Sequence, residues 1–200
     1  MTAVRLLMGA VFFLNGLNWW FKIITPYPSM SDFAHMAPPP DVVGAMIKNG
    51  VLFHIVKATE LLTGVALLAN SFVPLMLVAA LPITLPICIV DVFFVRSLRG
   101  VVMGGGSMLL NLSLLLAYLN HYRPMLEVRG VPCVEAPTPG PRDGGVLGRA
   151  AAAIGARILP ALGWIDCAVG AVMLGWLLVM VAQYIQDPLP LSAVHPLHPK

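Results

Sequence analysis

An all-α integral membrane bundle, crossing the bilayer five times, is the fold class this sequence predicts. Three observations carry it: 58% of the 200 residues are hydrophobic and only 10% charged, the mean hydropathy is +0.86, and the apolar residues gather in five long stretches. So few polar side chains cannot cover a water-soluble globule of this length. Each stretch, at 4–24, 50–69, 72–95, 102–118 and 158–184, is close to the ~20 residues that a helix needs to cross the hydrocarbon core. Lipid offers no partner to an unpaired backbone group, so the spans must be helices.

The first span follows Arg5 and ends in Trp19, Trp20 and Lys22. Its length and the lack of a small-x-small site argue against a cleaved signal peptide. The tryptophan pair suits an interfacial anchor. Residues 25–49 form an outer loop whose prolines, Pro26, Pro28 and Pro38 to Pro40, forbid one continuous helix, with Asp41 placed to cap a short interfacial one. Met30, His35 and Met36 in this loop lack the repeated spacing of a copper site, so no metal is expected.

Spans two and three are separated only by Asn70 and Ser71, which forces an antiparallel hairpin. In span three, Pro74 fits a first helical turn, whereas Pro82 and Pro86 each remove an intrahelical hydrogen bond and should kink it. Gly104, Gly105 and Gly106 open the fourth span. Without a preceding strand or a following lysine they are not a phosphate loop, and in a bundle such a run allows close helix approach. Residues 123–157 read as a Pro/Gly/Arg-rich cytoplasmic linker, with 146–156 a short amphipathic helix. It divides a four-span unit, 1–122, from a fifth transmembrane helix, 158–186, and the proline-bearing tail 187–200 should be extended.

Arg5 and the five arginines of the linker, Arg123, Arg129, Arg142, Arg149 and Arg157, favour a cytoplasmic N-terminus and an outer C-terminus. A net charge of +3 gives no reason to expect nucleic acid as a partner. Cys88, Cys133 and Cys167 make no CxxC pair, so neither a disulfide relay nor cysteine metal ligation is expected.

The informative residues are charges inside the spans. His54, Lys57 and Glu60 lie in span two and Asp91 in span three, where each charge costs on the order of 2.5 to 3.5 kcal/mol even on mild scales. At about 100° per residue, His54, Lys57 and Glu60 share an arc of roughly 120°. Folding the hairpin brings Asp91 towards His54, while Lys57 pairs with Glu60 at i, i+3 on its own helix. Asn15, Asn18 and Trp19 at the end of span one complete a polar pocket that opens to the outer loop. Two readings stand side by side. The charges neutralise each other and fix helix register, or His54 beside carboxylates serves a proton relay to a quinone head group, with His54 and Glu60 as the candidate catalytic residues. Asp166 and Gln183 in span five read as interhelical hydrogen-bonding residues.

The stretches Phe13-Leu-Asn-Gly-Leu-Asn18, Lys57-Ala-Thr-Glu-Leu-Leu-Thr-Gly64 and Asn70-Ser-Phe-Val-Pro74 resemble DoxX-like membrane proteins over about residues 5–121. That resemblance implies a four-helix membrane unit in a bacterial-type inner membrane, with relatives linked to thiosulfate:quinone oxidoreductase and to membrane oxidoreductase complexes. It carries over Asn15, Gly16, Lys57, Glu60 and Gly64, whereas Asp91 stands where similar proteins often have histidine. The fifth span departs from the four-span pattern and looks like an added docking element. The expected function is an accessory membrane subunit of a redox complex, with a larger membrane complex and lipids as partners and a quinone or lipid head group in the pocket. The sequence has no c-type haem attachment site, cysteine cluster or nucleotide fingerprint, so no covalently bound cofactor is expected. A self-contained quinone-linked oxidoreductase is the alternative, and a small solute carrier a further one, although no inverted repeat is evident.

Overall fold

A computed structural model of the chain describes residues 1–21, 51–95, 98–122 and 158–186. The expected outer loop, its interfacial helix and Lys22, Met30, His35 and Met36 lie outside the described residues, as do Cys133, the linker with its amphipathic helix, and the tail. Every described element is helical.

Helix α1 is Thr2–Phe21 and α2 is Val51–Ala69. Helix α3, Val73–Ile89, continues through π-helical turns at Val90–Val95. Helix α4 begins with Leu98–Gly100, passes through π-helical turns at Val101–Gly105 and is α-helical again over Gly106–Ala117, with a last turn at Leu119–Tyr122. Helix α5 is Leu159–Gln186. All five are long and apolar enough to cross a membrane. Their outward side chains agree with lipid as the surround: Leu62, Leu75, Phe93 and Trp164 are each more than 60% exposed, an apolar surface that water would not tolerate at this extent.

The five helices close into a ring in the spatial order α2, α1, α5, α4, α3, and α1 also touches α4 across it. The hairpin between α2 and α3 turns within three residues. Asn70 and Phe72 take positive φ values of 54° and 53°, and the Ser71 N–H donates to the Ala66 carbonyl at 2.9 Å. Arg5, buried on α1, donates to the Leu67 carbonyl at 2.6 Å and so satisfies one of the carbonyls that the end of α2 leaves open. A cation at a helix C-terminus also complements the helix dipole. At the same end of the bundle, the Tyr122 hydroxyl donates to the Pro74 carbonyl at 2.8 Å, tying the last turn after α4 to the first turn of α3. Burial, and then the neighbouring Tyr118, push this phenol up to about 12, so it stays a donor at neutral pH.

Two departures from the sequence reading concern glycine and the fifth span. The run Gly104 to Gly106 lies inside α4, which already begins at Leu98. Helix-breaking tendency is outweighed there by packing, because Gly104 abuts Asp91 of α3 and Gly106 abuts Met173 of α5. Helix α5 does not stand apart from the other four. It runs parallel to α1 and antiparallel to α4, and its Met173 and Leu177 join Met8, Leu67, Leu77, Leu110 and Leu114 in one core.

The closest helix contact is between α1 and α2. A Cβ on Gly16 would lie 2.7 Å from the Leu61 backbone nitrogen, and one on Gly64 would lie 2.7 Å from the Phe13 Cα. Apolar side chains gain little by leaving lipid for each other, so small residues that let backbones touch are what hold such helices together. Gly16→Ala should therefore destabilise the bundle by about 1 to 3 kcal/mol through overpacking. Gly175→Ala, where nothing lies within 4 Å of the added carbon, should stabilise α5 by roughly 0.5 to 1 kcal/mol. Thermal unfolding of both variants in the same detergent checks the opposite signs.

Candidate functional site

The Gly16 and Gly64 contact fixes what α1 and α2 can share. Asn15, next to Gly16, donates from Nδ2 to Oε2 of Glu60 at 2.9 Å across 45 residues of sequence. Lys57 Nζ reaches the same oxygen at 2.8 Å from one helical turn away. Both members of this ion pair are buried, with Lys57 4% and Glu60 3% exposed. An aromatic group flanks the pair. Lys57 Nζ lies 5.4 Å from the Phe53 ring centre, within cation–π range. Phe53 meets Trp19 edge-on at 4.7 Å, and Trp19 meets His54 edge-on at 5.1 Å. Asn18 is buried beside Trp19 on the same helix.

His54 therefore stands at the edge of the arc that Lys57 and Glu60 occupy. Its side chain is exposed and rests on Trp19 of α1. Asp91 is half-buried, and the cations whose charge acts on it are Lys57 and Arg99. Asp91 sits on the π-helical turns at Val90–Val95, whose i to i+5 bonding changes the angle per residue from that of an α-helix. Its carboxylate settles against Gly104, where a Cβ would lie 2.7 Å from its Oδ2.

Besides the Tyr122 bond to Pro74, sequence reading missed three polar contacts between helices. Asn111 Nδ2 donates to Thr84 Oγ1 at 3.1 Å between α4 and α3, and the Ser113 hydroxyl donates to Asp166 Oδ1 at 3.1 Å between α4 and α5. The third is the bond from Arg5 to Leu67. Asp166 was expected to bond another helix, but its partner was not identifiable. Serines, threonines and asparagines are unremarkable in a sequence, and only the packing shows which of them meet. Among the described residues, Cys88 and Cys167 are free thiols, and no group of three His, Cys, Asp or Glu side chains is placed to hold a metal ion.

The arrangement combines a compact ion pair, a shared amide donor and two aromatic rings at one end of the α1 and α2 seam. It can hold a small polar or aromatic group by hydrogen bonding and ring contact. Comparison with family models, curated proteins and solved structures gives no match to the chain.

The ion pair has a measurable signature. Lys57→Met or Glu60→Met alone strands a buried charge and should cost about 3 to 5 kcal/mol, whereas the double substitution leaves none and should cost far less than the sum. Unfolding free energies of the two single variants and the double, measured in mixed detergent micelles, give the coupling directly.

Proposed function

We propose that the chain is an accessory integral membrane subunit of a redox or electron-transfer complex, and that the pocket formed by Asn15, Lys57 and Glu60 with Trp19, Phe53 and His54 holds a quinone or lipid head group. The observation that carries this reading is the buried ion pair with its aromatic flank. At the interfaces of α4 with α3 and with α5, uncharged donors on α4 bond Thr84, the Pro74 carbonyl and Asp166 to join the helices. At the α1 and α2 seam, glycine contact already brings the backbones together, so register alone does not call for an ion pair whose desolvation is costly. A Lys and Glu beside Trp19 and Phe53 offer what an amphipathic head group needs: donors and acceptors for its oxygens, and rings for its flat or apolar part.

The resemblance of residues 5–121 to DoxX-like proteins supports a unit that works beside a larger oxidoreductase. The sequence lacks the usual attachment motifs for a redox group, which places electron chemistry on the partner in this reading. Helices α1 and α5 run parallel, so the start of α1 and the end of α5 lie on opposite faces of the bundle. With the positive-inside bias, the N-terminus is cytoplasmic and the protein resides in a bacterial-type inner membrane.

Purification from native membranes in mild detergent tests the proposal, with mass spectrometry of co-purifying proteins and of extractable quinone and lipid. The expected result is a stoichiometric larger partner and a retained quinone or lipid, with retention falling on the order of tenfold in Glu60→Gln, the loss of about one hydrogen bond. A chain that emerges alone, reduces a quinone analogue and loses that activity on His54→Ala or Glu60→Gln would be a self-contained oxidoreductase, and the subunit proposal would fail.

A further inference from the structure

Asp166 lies outside the pocket, on the face of α5 that also carries Gly170, Met173 and Leu177. That face packs between α1 and α4, and Asp166 has no exposed surface at all. Leu7 of α1 lies against Gly170, one turn after Asp166, and Met1 lies against Gly163, one turn before it. Its Oδ1 accepts the Ser113 hydroxyl at 3.1 Å, while its Oδ2, equally buried, has no hydrogen-bond partner among the described residues.

The charged groups on the elements packed against it are few. On α1, the α-amino group of Met1 acts on Asp166 electrostatically without approaching to ion-pair distance, and Arg5 is committed to the Leu67 carbonyl. On α4 the facing group is Ser113, which is neutral. A carboxylate sealed into a helix interface with one oxygen unpartnered is among the costliest polar groups a protein can bury, and the neutral acid is far cheaper. Asparagine would meet the same serine without carrying a titratable proton. The carboxyl is therefore not explained by the Ser113 contact alone.

We infer that Asp166 is a proton-binding site of this bundle, distinct from the pocket between α1 and α2. Its ligand is a single proton carried on Oδ2, with Ser113 orienting the carboxyl through Oδ1. Asp166 lies seven residues after Leu159, which is about 10 Å along the helix at 1.5 Å per residue. Proton exchange therefore takes place from the face at which α1 and α5 begin. This inference does not depend on what the other pocket binds.

The full-length protein in lipid nanodiscs provides the test. The infrared difference between wild type and Asp166→Asn at pH 7 should show the carbonyl band of a protonated carboxyl. Carboxylate stretching bands in its place would overturn the inference. Dicyclohexylcarbodiimide, which reacts with protonated carboxyls in apolar surroundings, decides the matter on the wild-type chain even if Asp166→Asn does not fold. The adduct should map by peptide mass spectrometry to Asp166 and not to Glu60. Labelling should fall about tenfold for each pH unit once the carboxyl ionises. An unmodified Asp166, or protection by sodium at constant pH, would each refute a proton site, the latter by making it a site for a metal cation.

Discussion

The contact on which the rest of the bundle depends is the backbone approach of α1 and α2 at Gly16 and Gly64. Neither helix gains much by withdrawing apolar side chains from lipid, because lipid is as apolar as they are. What holds them is close packing, and only glycine permits it where the Leu61 backbone comes within 2.7 Å of the space a Cβ on Gly16 would fill. The consequence reaches the site directly. With the backbones touching, the short side chain of Asn15 spans to Glu60, and Glu60 in turn holds Lys57. A wider separation would leave Asn15 short of the carboxylate and the ion pair without its third member.

Around the ring, polar contacts are distributed so that helix neighbours are tied by different devices. Helices α1 and α2 share the Asn15 bond to Glu60 and the Arg5 bond to Leu67, α2 and α3 share the hairpin, and α3 and α4 share Thr84 with Asn111 and the Tyr122 bond to Pro74. Helix α5 is held to α4 by Ser113 and Asp166. Apart from the hairpin, each contact joins residues far apart in sequence, so together they define which helix lies beside which. In a solvent that does not favour one apolar face over another, such directional bonds carry the specificity that burial carries in water.

How much of this was legible in the sequence follows from the physics of each signal. The five spans were legible because apolar length is a direct requirement of the bilayer, and Leu159–Gln186 was expected within a few residues. Lys57 and Glu60 were legible as a pair because i, i+3 spacing on one helix needs no tertiary knowledge. Asn15 was placed in the pocket, but its bond to Glu60 depends on the helix contact at Gly16. The contact of Asp91 with Gly104 is not legible, since the π-helical turns at Val90–Val95 leave no regular count of residues per turn. The glycine run of α4 is legible as a site of close approach, but not as the interior of a helix, because Leu98–Gly100 is already helical ahead of a run that ordinarily ends helices.

The two π-helical stretches lie opposite each other, Val90–Val95 on α3 and Val101–Gly105 on α4, and Asp91 meets Gly104 between them. Such turns are less stable than α-helix and persist where a side chain must be aimed somewhere a regular helix would not send it. Here they aim Asp91 towards α4, within the field of Lys57 and Arg99. Among the described residues at this end of the bundle, Lys57 and Arg99 stand against Glu60 and Asp91. A balanced set can persist beside lipid where an unbalanced one could not. In the reading proposed above, a neutral quinone or a zwitterionic head group beside Lys57 would add no net charge to this set, whereas an anion or cation would.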